Sequence, residues 1–146
     1  MRWPRGDRSA DDPPWYAQGL RFQCGRCGRC CAGEPGYVWL TDDDISRISR
    51  YLSVPEQELV GRYCRQVLFR ISLMERPNGD CVFLTPAGCS IYEARPIQCR
   101  TFPFWSHLLM SRDRWEALRT RCKGVGQGRL YSREEIEAIR DGKRST

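Results

Sequence analysis

Cys24-Gly25-Arg26-Cys27-Gly28-Arg29-Cys30-Cys31 places four thiols within eight residues, a density that ordinary core packing does not require. A Cys-x-x-Cys turn sets two sulfur atoms about as far apart as two corners of a tetrahedral site, where zinc–sulfur bonds are about 2.3 Å long. Gly28 lets the backbone turn back so that amide N–H groups point at sulfur, which stabilises thiolates. Because adjacent side chains diverge, Cys30 and Cys31 are hard to place on one ion. They indicate two centres or one polynuclear cluster.

Four more cysteines follow at longer intervals, and a ninth stands between them and the cluster. We predict that eight thiols bind metal: Cys24, Cys27, Cys30, Cys31, Cys81, Cys89, Cys99 and Cys122. Two sets of four fit this number better than one set, but the spacing does not say which cysteines share a centre. Cys64 could be a redox or resolving thiol. An isolated cysteine at the end of a predicted helix more often packs as a small hydrophobic residue, so we expect that role.

Whether closely spaced cysteines form disulfides or bind metal depends on the redox state of the compartment that contains the protein. The N-terminal stretch from Met1 to Pro14 contains no apolar run, so no secretory signal is visible and a cytoplasmic location is expected. No stretch approaches the roughly 20 apolar residues of a membrane helix, and no membrane partner is expected. In a reducing compartment, closely spaced Cys-x-x-Cys pairs are typical of metal sites.

Ligation by cysteine alone limits the metal to zinc or iron, with copper(I) as a further option. Cys24, Cys27 and Cys30 reproduce the C-x2-C-x2-C rhythm of bacterial ferredoxins, which favours iron–sulfur, for example a 4Fe–4S cluster. The fourth cysteine with its following proline is missing at ferredoxin spacing, and Cys31 departs from that pattern. The choice between zinc and iron therefore stays open.

Four motifs, taken in order along the chain, resemble those of a known family. They are Cys24 to Cys31, Cys81-Val82-Phe83-Leu84, Cys89 to Phe104 and Cys122 to Gly128. The third begins with Cys89-Ser90-Ile91-Tyr92-Glu93-Ala94-Arg95-Pro96-Ile97-Gln98-Cys99. They are similar to those of the CxxCxxCC, or YkgJ-like, cysteine-cluster proteins. The resemblance runs from about Phe22 to Ile139. It implies a zinc- or iron-chelating or iron–sulfur domain. A related member is the flagellin lysine N-methylase, so a protein-modifying enzyme acting on a protein substrate is the alternative, although no recognisable loop for S-adenosylmethionine is present.

The net charge of +6 would ordinarily suggest an acidic partner such as nucleic acid. Eight bound thiolates and two dipositive ions would reduce it to about +2, so much of the basicity is internal compensation. Arg26, Arg29, Arg95 and Arg100 stand beside cysteines, where cations favour ionised sulfur. A nucleic-acid partner using zinc knuckles is a third hypothesis and is not expected; its affinity would fall steeply with salt.

The fold class expected is α+β, a small single domain with short strands, about three helices and metal-binding loops. We predict a flexible leader over 1–19, which could lie on the surface through Trp3, Trp15 and Tyr16, a cysteine-cluster metal-binding domain over 20–142 and a tail over 143–146. Hydrophobic residues make up 40% of the chain, below the usual 45–50% or so. Bound metal would compensate for a thin core, because its binding energy adds to folding.

The pattern of apolar and capping residues predicts the main elements. Helices are expected over 42–52, capped by Thr41 with Asp44 and burying Ile45, Ile48, Tyr51 and Leu52; from Pro55 to about Tyr63; and after Ser132 with Glu135. Strands are expected at Leu20–Gln23, Val67–Leu73 and Cys81–Leu84, the last two joined by Pro77-Asn78-Gly79, and at Trp115–Leu118 paired with Leu108–Met110. Asp42 and Asp43 fit the helix dipole better than a cation site.

Three further features have a plain interpretation beside a functional one. Phe102-Pro103-Phe104-Trp105 could stack on a peptide or base, but aromatic residues beside a metal site more often pack over it. His107, the single histidine, is not expected to be a ligand or base where cysteines are plentiful. The glycines after Cys122 lack the setting of a nucleotide loop and are interpreted as a turn that returns Cys122 to the cluster.

Overall fold

The computed structural model describes residues 12–26, 28 and 36–146. Within these residues the chain forms five α-helices, seven short strands and two 3-10 helices. The helices are α1 (Asp42–Leu52), α2 (Glu56–Tyr63), α3 (Ile97–Thr101), α4 (Arg112–Ala117) and α5 (Arg133–Arg140). The strands are β1 (Leu20–Phe22), β2 (Trp39–Leu40), β3 (Cys64–Val67), β4 (Arg70–Leu73), β5 (Leu84–Thr85), β6 (Gly88–Cys89) and β7 (Arg129–Tyr131). The fold is α+β as predicted, with more helices than the three expected.

The first core joins the two ends of the described chain. β1 pairs antiparallel with β7, and α4 and α5 pack beside this ladder. The phenyl ring of Phe104 stacks on the indole of Trp115 with centroids 5.5 Å apart. The buried members of this first core are Tyr16, Phe22, Phe104, Leu109, Trp115, Val125, Tyr131, Ile136 and Ile139.

The second core is built from the middle of the chain. α1 and α2 pack on a three-stranded antiparallel sheet with strand order β2-β4-β3, and the short β5–β6 hairpin follows in sequence. Its buried members are Ile45, Ile48, Leu59, Cys64, Leu73, Phe83, Ile91 and Ala94. The two cores are separate clusters of buried side chains, so whatever lies between them is positioned by both.

Two capping boxes fix the first and last helices where the sequence predicts them. The Thr41 side chain accepts from the backbone N–H of Asp44, whose carboxylate accepts from the backbone N–H of Thr41. Ser132 and Glu135 repeat this arrangement at the start of α5. The predicted helix over 42–52 is confirmed, with Ile45 and Ile48 buried.

The prediction of a strand at Trp115–Leu118, paired with Leu108–Met110, is wrong. Residues 115–118 belong to α4 and the 3-10 helix that follows it, and residues 108–110 form turns rather than a strand. The Ser111 side chain caps the helix by accepting from the backbone N–H of Arg114. Trp115 is the buried residue of this helix. Tyr51 is also not inward: it is 48% exposed on α1.

The predicted hairpin of Val67–Leu73 and Cys81–Leu84 is corrected as well. β3 begins already at Cys64 and pairs with β4, so the hairpin turn falls inside the segment expected to be one strand. Pro77-Asn78-Gly79 does form a turn, flanked by a single bridge between Glu75 and Cys81. Leu84 pairs instead with Cys89, within the β5–β6 hairpin.

The segment before β1 contacts the first core. The indole Nε1–H of Trp15 donates to the carbonyl of Leu109 at 2.7 Å, and Tyr16 is buried. Trp3, expected to lie on the same surface, falls outside the described residues. Across the described ranges, no helix has the length and apolar character needed to cross a membrane.

Candidate metal centre

A cavity of about 240 Å³ lies between the two cores. Phe22 of the first core and Leu73, Phe83 and Ile91 of the second contribute to its wall. All five of the predicted ligand cysteines that the structure describes line it: Cys24, Cys81, Cys89, Cys99 and Cys122. The other three, Cys27, Cys30 and Cys31, fall outside the described residues.

Backbone pairing brings Cys24 and Cys122 together on the side of the first core. Phe22 forms an antiparallel bridge with Val125, and the N–H of Gln23 donates to the carbonyl of Gly124 at 3.1 Å. A Cβ at Gly124 would collide with the backbone of Gln23, so this approach requires glycine. The turn after Cys122 thus returns that residue to Cys24, the first residue of the cysteine cluster 24–31, as predicted from the sequence.

A second pair of cysteines stands on the side of the second core. Cys89 pairs with Leu84 in the β5–β6 hairpin, and the N–H of Leu84 donates to the carbonyl of Cys81 at 2.9 Å. Gly88 has a φ of +106°, and a Cβ there would lie 3.0 Å from the carbonyl oxygen of Arg26. The backbone at Arg26 therefore lies close beside the β5–β6 hairpin.

Cys99 is positioned by a short helix that is fastened to the second core. The N–H of Ile97, the first residue of α3, donates to Asp44 Oδ1 at 3.0 Å. The amide of Gln98 donates to the carbonyl of Tyr37 and accepts from the N–H of Trp39. Because Asp44 is 1% exposed and serves both α1 and α3, its carboxylate has the structural role predicted for it.

The charged side chains that line the cavity among the described residues are all cations: Arg26, Arg95, Arg121 and Lys123. Cations near sulfur favour the thiolate, which is the form that binds metal. The expectation that arginines stand near the cysteines is met by Arg26 and Arg95. Arg100 does not line this cavity; its Nε–H donates to the carbonyl of Arg95.

Tyr92 lines the cavity beside two of these cations. The guanidinium groups of Arg26 and Arg95 each lie over its ring, with their central carbons 3.9 Å from the ring centroid. Burial and a hydrogen bond with Cys24 raise the pKa of Tyr92, and the charge of Arg95 opposes them. The phenol therefore keeps its proton at neutral pH.

The donor set and the size of the cavity fit a cysteine-ligated metal group. A cavity of about 10–15 Å³ is enough to hold one water molecule, and a single metal ion is no larger than that. The volume of 240 Å³ found here therefore leaves room for more than one ion. No three His, Cys, Asp or Glu side chains within 12–26, 28 and 36–146 are close enough together to hold one ion. A site that spans the cavity thus needs ligands spread around it, and Cys24 leads directly into the stretch that carries the other three cysteines.

Two of the remaining candidate residues, Cys64 and His107, lie away from the cavity. Cys64 is 4% exposed within the second core, and burial raises the pKa of its thiol to about 11, so its packing role is confirmed. His107 is exposed and does not line the cavity. Phe104 is fully buried and Phe102 forms part of the cavity wall, which confirms packing for these two aromatic residues.

Sequence reasoning missed the cavity-lining roles of Tyr92, Arg121 and Lys123. A weak signal was available, because Arg121 and Lys123 flank Cys122 and Tyr92 stands three residues after Cys89. Proximity in sequence to a cysteine does not show which way a side chain points, so this signal could not separate Tyr92 from its neighbours.

The model of the CxxCxxCC family, described as "Putative zinc- or iron-chelating domain", matches residues 23–123. Uncharacterized protein MJ0661 of Methanocaldococcus jannaschii is 30% identical over 122 residues, which span 79% of this chain and 65% of that protein. Uncharacterized protein MJ0939 of the same organism is 23% identical over 128 residues, spanning 84% of this chain and 43% of that protein. The chain thus covers less than two thirds of these two relatives. No solved structure matches.

Proposed function

Because the chain belongs to the CxxCxxCC family of zinc- or iron-chelating domains, we propose that it binds zinc or iron through eight cysteines at the cavity between its two cores. The proposed ligands are Cys24, Cys27, Cys30, Cys31, Cys81, Cys89, Cys99 and Cys122. The centre would have a structural, redox or metal-handling role, in a reducing compartment such as the cytoplasm, where thiols stay available to metal.

The observation that carries the proposal is the meeting of five distant cysteines at one cavity. Cys24 and Cys122 are 98 positions apart in the chain, and Cys81, Cys89 and Cys99 come from three different local structures. Packing of a hydrophobic core does not require this many thiols at one place. Metal ligation supplies a reason, because thiolates from separate segments can share a positively charged centre.

The electrostatics of the lining support the same proposal. Thiolates in an otherwise apolar cavity are costly unless positive charge compensates them. The described lining residues offer four cations and no carboxylate, which lowers that cost for several thiolates at once. Apolar walls formed by Phe22, Phe83 and Phe102 limit the access of water, which helps a bound centre to persist.

The spread of the cysteines favours a polynuclear centre or two centres over one mononuclear site. The C-x2-C-x2-C rhythm of Cys24, Cys27 and Cys30 adds weight to iron–sulfur, which supplies one-electron transfer when bound. Zinc would instead exclude a redox role for the centre, since zinc has no redox chemistry.

The test is the metal and acid-labile sulfide content of protein purified without oxygen, together with its visible absorption spectrum. Iron with equivalent sulfide and a broad band at about 400 nm supports a cluster. Colourless protein with stoichiometric zinc supports a structural centre. Protein that contains neither metal, and takes up neither when it is offered under reducing conditions, contradicts the proposal.

A matched pair of variants checks the ligand assignment. Cys99→Ser should lose metal and stability together. Serine is a poor ligand, and without the metal its positive charge no longer compensates the other thiolates at the cavity. Cys64→Ser should retain its full metal content, because Cys64 lies within the second core and not at the cavity. Full metal in Cys99→Ser would mean that this cysteine is not a ligand.

A further inference from the structure

A second cavity, separate from the one that the cysteines line, has a volume of about 620 Å³. Three parts of the chain line it: the start of α1, the helix α3 and the segment 142–145 that follows α5. Ile97 and Arg100, three positions apart on α3, line this second cavity, whereas Cys99 lines the metal cavity from a different face of the same helix. None of the described residues that line the second cavity is a proposed metal ligand.

The segment after α5 forms one side of the second cavity and is fixed by hydrogen bonds. The N–H and the hydroxyl of Thr146 both donate to the carbonyl of Arg100, each at 2.8 Å. Nearer to α5, the N–H of Lys143 donates to the carbonyl of Ala138 at 2.9 Å. The side chains of Lys143 and Arg144 are therefore carried by backbone that is held on both sides.

Cations outnumber anions in the lining of the second cavity. The Asp44 carboxylate, one of two there, is 1% exposed and is already used within the fold. It accepts from the backbone N–H groups of Thr41 and Ile97, each at 3.0 Å, and from Arg47 Nη2 at 2.8 Å. The charged lining residues described are Arg47, Arg100, Lys143 and Arg144 against Asp43 and Asp44, which leaves an excess of positive charge.

Two of these cations are crowded against one another. Arg47 Nη2 and Arg100 Nε donate to the same oxygen, the carbonyl of Arg95, at 2.8 and 3.0 Å. In addition, Arg47 Nε is buried and has no hydrogen-bond partner among the described residues. Like charges this close repel each other unless a negative charge lies beside them. An anion in the second cavity would supply that charge.

We propose that the second cavity binds a phosphate group, either as the free ion or on a small phosphate monoester, through Arg47, Arg100 and Lys143. A guanidinium presents its N–H donors in a planar fork that matches phosphate oxygens, and an ammonium adds a compact positive charge. The volume of 620 Å³ lies in the range of about 300–1,000 Å³ that is typical of small-molecule sites. The inference does not depend on the proposed function, because it uses no metal and no cysteine.

A bound phosphate would connect the two cores a second time. α1 belongs to the second core through Ile45 and Ile48, and α5 belongs to the first core through Ile136 and Ile139. The second cavity lies between the start of α1 and the segment that follows α5. A ligand that binds only the folded protein raises its stability, so phosphate should raise the melting temperature.

The test measures the melting temperature of the metal-containing protein against the concentration of inorganic phosphate, with sodium chloride adjusted to hold the ionic strength constant. We expect a saturating rise of a few degrees. Phosphate also stabilises proteins without binding at a site, but that effect does not saturate. A parallel titration with glycerol 2-phosphate separates the two ligands: saturation at lower concentration assigns the monoester, and saturation at higher concentration assigns the free ion.

Three variants place the site. Arg100→Gln should raise the apparent Kd for phosphate about tenfold, because it removes a charged donor, and Lys143→Gln should raise it about threefold. Each variant is compared with its own melting temperature without phosphate, which removes any general loss of stability. Arg62→Gln is the matched control, because Arg62 is a cation of α2 with a 59% exposed side chain that does not line the second cavity.

The inference is overturned if the rise does not saturate, or if both cavity variants have the same apparent Kd as Arg62→Gln. Should Arg100→Gln fail to fold, the comparison of Lys143→Gln with Arg62→Gln decides alone. Metal content is measured separately, so failure of the phosphate site leaves the proposed function standing.

Discussion

The two cores differ in composition and in how the chain builds them. Five of the nine buried residues of the first core are aromatic, and its members come from 16–22 and from 104–139. The second core is largely aliphatic, and its members all lie between Ile45 and Ala94. A core made from one continuous stretch closes short loops, whereas a core made from both ends must close a long one. The second core is therefore the more self-sufficient of the two.

The cysteines are divided between these cores. Cys24 and Cys122 pack against the first core, and Cys81 and Cys89 pack against the second. Neither pair alone supplies the four ligands of a tetrahedral centre. A metal group bound at the cavity would thus join two hydrophobic clusters, and its binding energy would be shared by both.

The largest expected effect is that of metal removal. Chelation under reducing conditions should lower the free energy of unfolding by several kcal/mol, because a bound structural metal contributes directly to folding. The loss should be uneven. In hydrogen exchange, β1 and α5 should lose protection before α1 and β4, since the first core depends on a contact between distant segments.

The order in which the two cores lose protection tests whether they are independent of each other. Equal loss of protection in both cores would mean that they form one cooperative unit without metal. Protection that does not change at all in either core would mean that the metal contributes nothing to the junction.

A smaller expected effect is the pH dependence of stability that the buried thiol of Cys64 contributes. Burial raises the pKa of Cys64 from 9.0 to about 11, so the folded state favours the protonated thiol. Its contribution to stability should be complete below about pH 9 and should be lost as the pH rises through about 9–11. Cys64→Ala should therefore be less stable than the unaltered protein at neutral pH, and the difference should shrink in this window.

Urea denaturation of both proteins at several pH values measures this difference. Comparing the two at each pH cancels the titration of the other groups that they share. A difference that stays constant from neutral to strongly alkaline pH would contradict the burial of the Cys64 thiol.

Local signals in the sequence predicted the elements whose physics is local. Thr41 with Asp44 and Ser132 with Glu135 are capping boxes that need no distant partner, and both helices start where they indicate. The α4 helix was missed because its cap, Ser111, has no such reciprocal partner, and the residues around Trp115 can be arranged as either strand or helix.

Long-range features could be predicted only in part. The cysteine spacing indicated a shared site, and five of those cysteines do line one cavity, but their division between two cores depends on how β1 meets β7 and how β5 meets β6. The position of Tyr92 at the cavity depends on contacts from Arg26 and Arg95. Such contacts arise from packing between segments, which no local pattern records.

The central claim is that the metal bound at the cavity draws ligands from both cores. The most direct test is the metal content per chain of Cys122→Ser, from the side of the first core, and Cys89→Ser, from the side of the second, each purified in parallel with Cys64→Ser. The account predicts that both cavity variants lose metal while Cys64→Ser retains it. Full metal in either cavity variant would confine the ligands to one core and contradict the claim.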